Sequence, residues 1–285
     1  MKEKIAVLVD TCMDVPTEYL AGEDIYVIPM IIQYKDRQYI DKEEISVEEV
    51  CKRLPVEVPT TSLPSLETMQ TTLEEIKEAG YEKVIAITIS SGLSGTNNAL
   101  RMVAREFKDL EVAVIDTKNI GFGAGFSGML AIDLLRKGLD FHTIVQKVEE
   151  NIEHTKIFFC VDTLEYLKKG GRIGLVTGTI GTLLDLKPII SCNDDGIYYT
   201  VGMAKGRKQS LKKNRIYAQE FASHYDKYNV VVVNVAAKEE AAQVLKLLQQ
   251  ELPGIQNVYE GTLSSALAVH TGPGIIGVGI QRVVE

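Results

Sequence analysis

The first half of this 285-residue chain alternates short apolar runs with segments of helical periodicity. Three of the apolar runs, "KIAVLV", "KVIAITI" and "EVAVID", are rich in Val and Ile and have the length of a strand. A helix-like segment follows the second run and the third. Strands that alternate with helices are typical of a parallel sheet covered on both faces. The pattern therefore predicts an α/β fold for this half.

The pattern changes near residue 155. "KIFFCVD" is strand-like, and the stretch "KPIISCNDDGIYYTVGMAK" predicts a hairpin turned by Asp195 and Gly196. A hairpin among further helices and strands indicates a partly antiparallel sheet. We therefore predict two domains: an N-terminal parallel-sheet α/β/α domain over residues 1–154 and a C-terminal mixed-sheet α+β domain over residues 155–285.

Several residues mark helix boundaries. Ser46 with Glu49 three residues later forms a capping box, and Ser65 is placed to cap a helix that Gly80 ends. The uncharged stretch 119–132 is interrupted by glycines and is too short to span a membrane, so it predicts a buried helix.

Composition excludes several classes of protein. The net charge is −8 and the pI is about 5.2, which argues against a nucleic-acid-binding surface. The start, "MKEKIAVLVD", resembles a first strand and not a signal peptide, and stable membrane insertion is not expected. The four cysteines are far apart without nearby histidines, so neither a disulfide framework nor a zinc site is predicted, and a cytoplasmic location is expected.

Nucleotide-binding motifs fail on their context. "GAGFSG" at 123–128 and "GPGIIG" at 272–277 match the dinucleotide fingerprint in letters, but neither is followed by the required strand with an acidic end. Their glycines are better explained by tight turns and close packing. The sequence also contains no G-x-x-x-x-G-K-[ST] phosphate-binding loop.

The stretch "SSGLSGT" at 90–96 lies where a strand passes into a helix. Exposed backbone N–H groups at such a position suit an anion. Ser94 could instead be a nucleophile with His270 as its base, but Thr96 stands where the nucleophile-elbow motif requires its final glycine. A third possibility is that Ser94 only caps the helix that begins near Thr96.

Three other polar residues have similarly open roles. Thr61 in "TTSLPS" precedes a helix and is either a turn residue or a second hydroxyl that converges with Ser94 on one anion. His270 in "VHTGPG" is a structural histidine or a ligand contact. Arg172 in "KKGGRIG" is a solvated cation or an anion partner.

Taken together, these stretches resemble the DegV family of bacterial fatty-acid-binding proteins. The resemblance covers essentially the whole chain and rests on seven stretches in a specific order: "VLVDTCMD", "PTTSLPS", "SSGLSGT", "VIDTKN", "KKGGRI", "LDLKPII" and "VHTGPG". The first stretch differs from the common D-S-T-x-D type at Thr11 and Cys12, which are both small residues.

The resemblance implies a non-catalytic lipid-binding subunit. Such proteins hold one long-chain fatty acid, with its carboxylate near the junction of two domains and its acyl chain in an apolar tunnel. A separate ATP-dependent fatty acid kinase subunit then forms the acyl phosphate. Carried over residue by residue, the head-group contacts are Thr61, Ser94 and His270, and Arg172 belongs to the same pattern. No cofactor, metal or catalytic residue is implied.

Elementary energetics agree with a lipid ligand. Hydrogen bonds to a charged acceptor contribute about 1.5 to 3 kcal/mol each. Burial of a chain of about 16 carbons gives a gross gain on the order of 12 kcal/mol, partly offset by ordering the chain. Affinity is therefore expected to come mainly from the tunnel. Two alternatives remain at this point: an acyl hydrolase that uses Ser94 and His270, and a sensor of a non-lipid small molecule.

Overall fold

The computed structural model describes residues 3–179 and 186–284. Leu184 and Asp185 of the "LDLKPII" stretch lie outside the described residues. Within the described residues the strands, in chain order, are β1 Ile5–Asp10, β2 Ile25–Ile28, β3 Ile31–Gln33, β4 Gln38–Ile40, β5 Thr60–Ser62, β6 Lys83–Thr88, β7 Glu111–Asp116, β8 Thr155–Cys160, β9 Leu186–Cys192, β10 Tyr198–Lys205, β11 Tyr228–Asn234, β12 Ile255–Thr262 and β13 Ile276–Arg282.

The described helices connect these strands. In chain order they are α1 Thr17–Leu20, α2 Val47–Arg53, α3 Leu66–Glu78, α4 Thr96–Ala104, α5 Phe122–Arg136, α6 Phe141–Glu150, α7 Glu165–Lys169, α8 Gly206–Ala222, α9 Lys238–Glu251 and α10 Ser265–Thr271. Two short 3-10 turns, Thr11–Met13 and Gly174–Thr179, complete the elements.

The first sheet is parallel and is covered on both faces, as the alternating pattern predicts. Its strand order is β2-β1-β6-β7. Side chains of β1 alternate between two cores: Val7 and Val9 face the side of α5 and α6, while Ala6 and Leu8 face α3 and α4. Because both faces of the strands are buried, they appear in the sequence as continuous apolar runs.

The second sheet is mixed. Its order is β10-β9-β8-β13-β11-β12, in which only β11 and β12 pair in parallel. Asp195 and Gly196 lie in the turn of the β9–β10 hairpin, where Gly196 has φ +73°. The predicted α/β/α and mixed-sheet architectures are therefore both confirmed. The position of the domain boundary, between residues 154 and 155, stays a prediction.

A third, three-stranded sheet was not predicted. The extended segment "IYVIPMIIQY" divides at Pro29 into β2 of the first sheet and β3 of this small antiparallel sheet, ordered β4-β3-β5. Thr61 lies in β5, opposite Ile32, and not in a turn as its Pro-rich surroundings suggest. Proline lacks the N–H that a continuous strand needs, which explains the break at Pro29.

Most helix boundaries agree with the sequence signals. The Ser46 hydroxyl accepts from the Glu49 N–H at 3.2 Å, and the Ser65 hydroxyl accepts from the Thr68 N–H at 2.9 Å. Gly80, with φ +84°, ends α3. Each capping contact satisfies one donor that the first turn of a helix leaves unpaired.

Helix α5 lies between the two large sheets and contacts β1 and β6 of the first and β8 and β13 of the second. Of its residues, only Leu130, Asp133 and Arg136 are not buried. A helix that is apolar on all sides belongs inside a protein. Both sheets therefore share one core around α5.

We expect Gly125→Ala to destabilise the protein, although alanine in a helix interior is normally favoured over glycine by about 0.5 to 1 kcal/mol. A Cβ at this position of α5 would overlap the Met13 carbonyl oxygen. Overpacking of this kind costs about 1 to 3 kcal/mol, so the melting temperature should fall.

Gly128→Ala, one turn later, is the matched control, because its Cβ would meet only side-chain atoms at 3.2 Å or more. It should lower the melting temperature less, as measured by thermal unfolding. A Gly125→Ala protein as stable as the wild type would contradict this close approach.

Candidate functional site

Thr61 and His270 lie 209 positions apart in sequence and meet in the folded chain. The Thr61 hydroxyl oxygen and the His270 Nε2 atom are 2.6 Å apart, within hydrogen-bond distance. Thr61 is on β5, and His270 is in the last turn of α10, which also packs against α2 and β3. This hydrogen bond therefore joins two distant parts of the sequence.

Ser94 lies in the loop between β6 and α4. Its hydroxyl is 2.8 Å from the Thr96 hydroxyl and accepts from the Thr96 N–H at 3.3 Å. Ser94 thus pairs one N–H of the first turn of α4, but Gly95 holds the N-cap position itself. The loop is held to the β9–β10 hairpin, because the Ser90 hydroxyl donates to the Gly196 carbonyl at 2.8 Å. A side chain at residue 196 would overlap Ser90.

One cavity brings the predicted site residues together. It has a volume of about 50 Å³, and Thr61, Ser94, Arg172 and His270 all line it. The rest of its wall is mostly apolar and includes Met30, Leu63, Ile89, Leu93, Ile120, Ala266 and Leu267. A mostly apolar cavity with a few convergent polar groups is the usual form of a small-molecule site.

A second, apolar cavity lies next to the first. It has a volume of about 20 Å³ and lies between the start of α5 and the second sheet, where Phe122, Phe159 and Val233 line it. The two cavities share the wall residues Ile120, Tyr198, Leu267 and Thr271. An apolar path thus leads from the polar cluster towards the shared core.

Both cavities are narrower than the predicted tunnel. An engineered protein cavity that binds benzene has a volume of about 150 Å³, which exceeds either volume here. The structure therefore shows two small voids with a common wall where the sequence predicts one elongated slot. A long ligand would have to displace the side chains of that wall.

The environment of His270 favours its neutral form. Burial, reinforced by the nearby Arg172 guanidinium, lowers the pKa of His270 to about 4. Arg172 donates from Nη1 to the Gly170 carbonyl at 2.7 Å. The imidazole is therefore uncharged at neutral pH, and Arg172 supplies the positive charge among the predicted site residues.

Buried carboxylates position the elements that carry the site. Asp10 accepts from the Ile89 N–H at 2.8 Å, just before the loop of Ser94. Asp14 accepts from the Ser264 N–H at 2.9 Å, and Asp41 accepts from the Ala266 N–H at 3.0 Å. These bonds tie the loop after β1 and the loop after β4 to the base of the Ser94 loop and to the start of α10.

The charge on these carboxylates is balanced only in part. Burial raises the pKa of Asp10 to about 7 and that of Asp14 to about 6, although an ion pair with Lys42, 3.0 Å from Asp14, opposes the second shift. None of these three aspartates was predicted from the sequence to support the site. The available signal was the pair of aspartates, four residues apart, that follows the buried strand in "VLVDTCMD".

The geometry is not that of a serine hydrolase. A nucleophilic serine needs a hydrogen bond to its base, but the Nε2 atom of His270 is bonded to Thr61 and the Ser94 hydroxyl is paired with Thr96. Among residues 3–179 and 186–284, no group of three or more His, Cys, Asp or Glu side chains is arranged to hold a metal ion. No described helix is long and apolar enough to cross a membrane.

We expect the His270 imidazole to titrate near pH 4, against an ordinary value of about 6.5. Between these two pH values the unfolded state binds a proton that the folded state does not. The free energy of unfolding should therefore fall by about 3 kcal/mol as the pH drops from 6.5 to 4, relative to a His270→Gln variant.

The comparison with His270→Gln cancels the opposite contribution of Asp10 and Asp14, which both proteins contain. NMR titration of the histidine ring and denaturant unfolding across this pH range measure the two effects. A His270 signal that titrates at the ordinary value would contradict the buried, neutral ring.

Comparisons with known proteins agree with the fold and identify the family. The family model described as "Uncharacterised protein, DegV family" matches residues 4–283. A DegV domain-containing protein of Clostridium acetobutylicum is 42% identical over 282 residues, which cover 98% of this chain and 99% of that protein.

Two solved structures show the same architecture. A DegV family protein from Thermus thermophilus, described as fatty-acid-binding, superposes with a TM-score of 0.92 at 28% identity and covers 98% of this chain and 100% of its own. A stearic-acid-binding protein from Eubacterium ventriosum gives a TM-score of 0.87 at 28% identity, with 98% of each chain covered. With the family match across nearly its whole length, this chain belongs to the DegV family.

Proposed function

We propose that this protein binds one long-chain fatty acid, with its carboxylate at Thr61, Ser94 and His270 and its acyl chain directed through the two apolar cavities. The observation that carries the proposal is the clustering of two hydroxyls and an imidazole at one end of two neighbouring apolar cavities that share a wall. The relatives from Thermus thermophilus and Eubacterium ventriosum, which are described as binding fatty acids, support it.

The polar end of the path suits a carboxylate. A carboxylate accepts hydrogen bonds and donates none, and hydroxyl groups can turn their hydrogen towards it. Arg172 lines the same cavity and adds a positive charge, while the neutral imidazole adds none. A single guanidinium with several neutral donors binds an anion without surrounding it with uncompensated positive charge.

The apolar end supplies most of the affinity. Each buried methylene contributes roughly 0.8 kcal/mol, so a chain of about 16 carbons gains on the order of 12 kcal/mol before its ordering is counted. Displacement of the shared wall of Ile120, Tyr198, Leu267 and Thr271 reduces this gain. The hydrogen bonds at the head group then fix the orientation and register of the chain.

The bound carboxylate is a substrate for another protein in this proposal. A separate kinase subunit binds the ATP, as the family resemblance implies, and this agrees with a sequence that contains no G-x-x-x-x-G-K-[ST] loop. A carboxylate oxygen attacks the γ-phosphorus of ATP, ADP leaves, and the acyl phosphate remains in the lipid-binding subunit. The chain itself holds and presents the fatty acid and catalyses no step.

Protein purified from cells should release a fatty acid on solvent extraction, identified by mass spectrometry.

Ser94→Ala should weaken binding of stearic acid about tenfold, because one hydrogen bond to a charged acceptor is lost. Ser223→Ala is the matched control, since Ser223 is exposed at the C-cap of α8, lines neither cavity, and its hydroxyl donates to the Glu220 carbonyl one turn earlier. Equal affinity of both variants and the wild type would argue against the head-group assignment.

Acyl phosphate should form only when the protein, stearic acid, ATP and a fatty acid kinase subunit are mixed. Hydroxylamine converts the product to a hydroxamate that mass spectrometry detects. His270→Ala should slow this reaction because the carboxylate loses its orientation. Formation at the same rate without this protein would refute the presenting role, and labelling of Ser94 by a fluorophosphonate would favour the hydrolase instead.

A further inference from the structure

The backbone conformation of Gly170 does not require glycine. It ends α7 with φ −78° and ψ −5°, which any residue adopts without strain. The next residue, Gly171, is different, because its φ of +70° lies in the left-handed region that favours glycine. The requirement for glycine at position 170 must therefore come from a neighbouring group.

That neighbour is the imidazole of His270. A Cβ at residue 170 would overlap His270 Nδ1 and would lie 2.7 Å from Cε1. The backbone of Gly170 is held on both sides: its N–H donates to the Tyr166 carbonyl at 2.9 Å, and its carbonyl accepts from Arg172 at 2.7 Å. Since the backbone is fixed, the ring would have to yield.

We propose that Gly170 is a positioning residue for the fatty-acid site, whose bare backbone forms the seat that holds the His270 ring against Thr61. The inference rests on the proposed function for its effect on affinity. The stretches "KKGGRI" and "VHTGPG" then act together, because the first contains Gly170 and the second contains the His270 ring that packs on it.

A second contact shows that α7 fits closely against the end of α10. Gly272 follows α10 with φ +68°, and a Cβ there would overlap the ring of Tyr166. Helix α7 therefore approaches α10 at two glycines, one through the Tyr166 ring and one through the Gly170 backbone. Close approach at both points restricts where the His270 ring can lie relative to α7.

The seat also determines which nitrogen of the ring carries the proton. Nδ1 is buried, and no hydrogen-bond partner for it lies among the residues that the structure describes. A buried unpaired N–H is rarer than an unpaired acceptor, and the nearby Arg172 cation favours a lone pair. Nε2 therefore holds the hydrogen and donates to Thr61, so His270 acts on the carboxylate through Thr61, whose hydroxyl hydrogen stays free to donate to it.

A double-mutant cycle tests the seat, with stearic acid as the ligand and affinity and melting temperature as the measurements. Gly170→Ala and His270→Ala should each weaken binding about tenfold, because the displaced or missing ring no longer bonds to Thr61. The double variant should bind no more weakly than His270→Ala alone, since removal of the ring makes room for the new methyl group. It should also be more stable than Gly170→Ala.

Gly171→Ala is the matched control. It strains the backbone at the adjacent residue, but its Cβ would meet nothing within 4 Å. NMR titration gives a readout that does not depend on the ligand: the pKa of His270 should rise from about 4 towards 6.5 in Gly170→Ala, where the ring becomes solvated, and should stay near 4 in Gly171→Ala. The ring nitrogen shifts of the wild type should show hydrogen on Nε2.

The outcomes separate this inference from the proposed function. If Gly170→Ala keeps the wild-type affinity and titration while His270→Ala binds weakly, the seat is refuted and the fatty-acid site stands. If His270→Ala binds stearic acid as the wild type does, the head-group role of His270 fails, and the titration still decides whether Gly170 holds the ring. Additive losses of affinity in the double variant would also overturn the inference.

Discussion

Burial of helix α5 between two sheets is the constraint on which the rest of the structure depends. The parallel sheet packs on one side of this helix and the mixed sheet on the other, so the two halves of the chain share a single core. The apolar cavities lie at the N-terminal end of the same helix, next to Phe122. The candidate ligand path therefore lies within the hydrophobic core that the two sheets share.

Three buried aspartates hold the elements that carry the candidate site. Asp10, Asp14 and Asp41 would each prefer water, and burial raises their pKa values. Each nevertheless accepts a backbone N–H from a distant part of the chain, which compensates part of the cost of burial. The result is that the loop of Ser94 and the helix of His270 are held to one common support.

Shape and charge at the site have separate origins. The apolar walls come from the second sheet, the start of α5, α10 and the adjoining loops, and they give an uncharged chain a place to lie. The polar groups come from β5, the Ser94 loop, the segment after α7 and the last turn of α10. Arg172, anchored to the Gly170 carbonyl, provides positive charge beside a histidine that stays neutral. This division suits a ligand with one anionic end and a long apolar remainder.

The sequence by itself determined the two sheet types, most helix ends and the residues of the polar cluster. Strand runs such as "KIAVLV", helix caps such as Ser65 and the Asp195-Gly196 turn act locally, and local preferences can be seen in a linear pattern. The motifs around Thr61 and His270 pointed to one site because the resemblance to the DegV family carried their roles.

Only the tertiary structure decided what those residues touch. Thr61 belongs to a three-stranded sheet that no periodicity indicated, and its pairing with His270 spans 209 positions. The support from Asp14, the seat at Gly170 and the narrow paired cavities likewise depend on packing between distant segments. Contacts of this kind arise from how whole elements fit together, and no short stretch of sequence contains them.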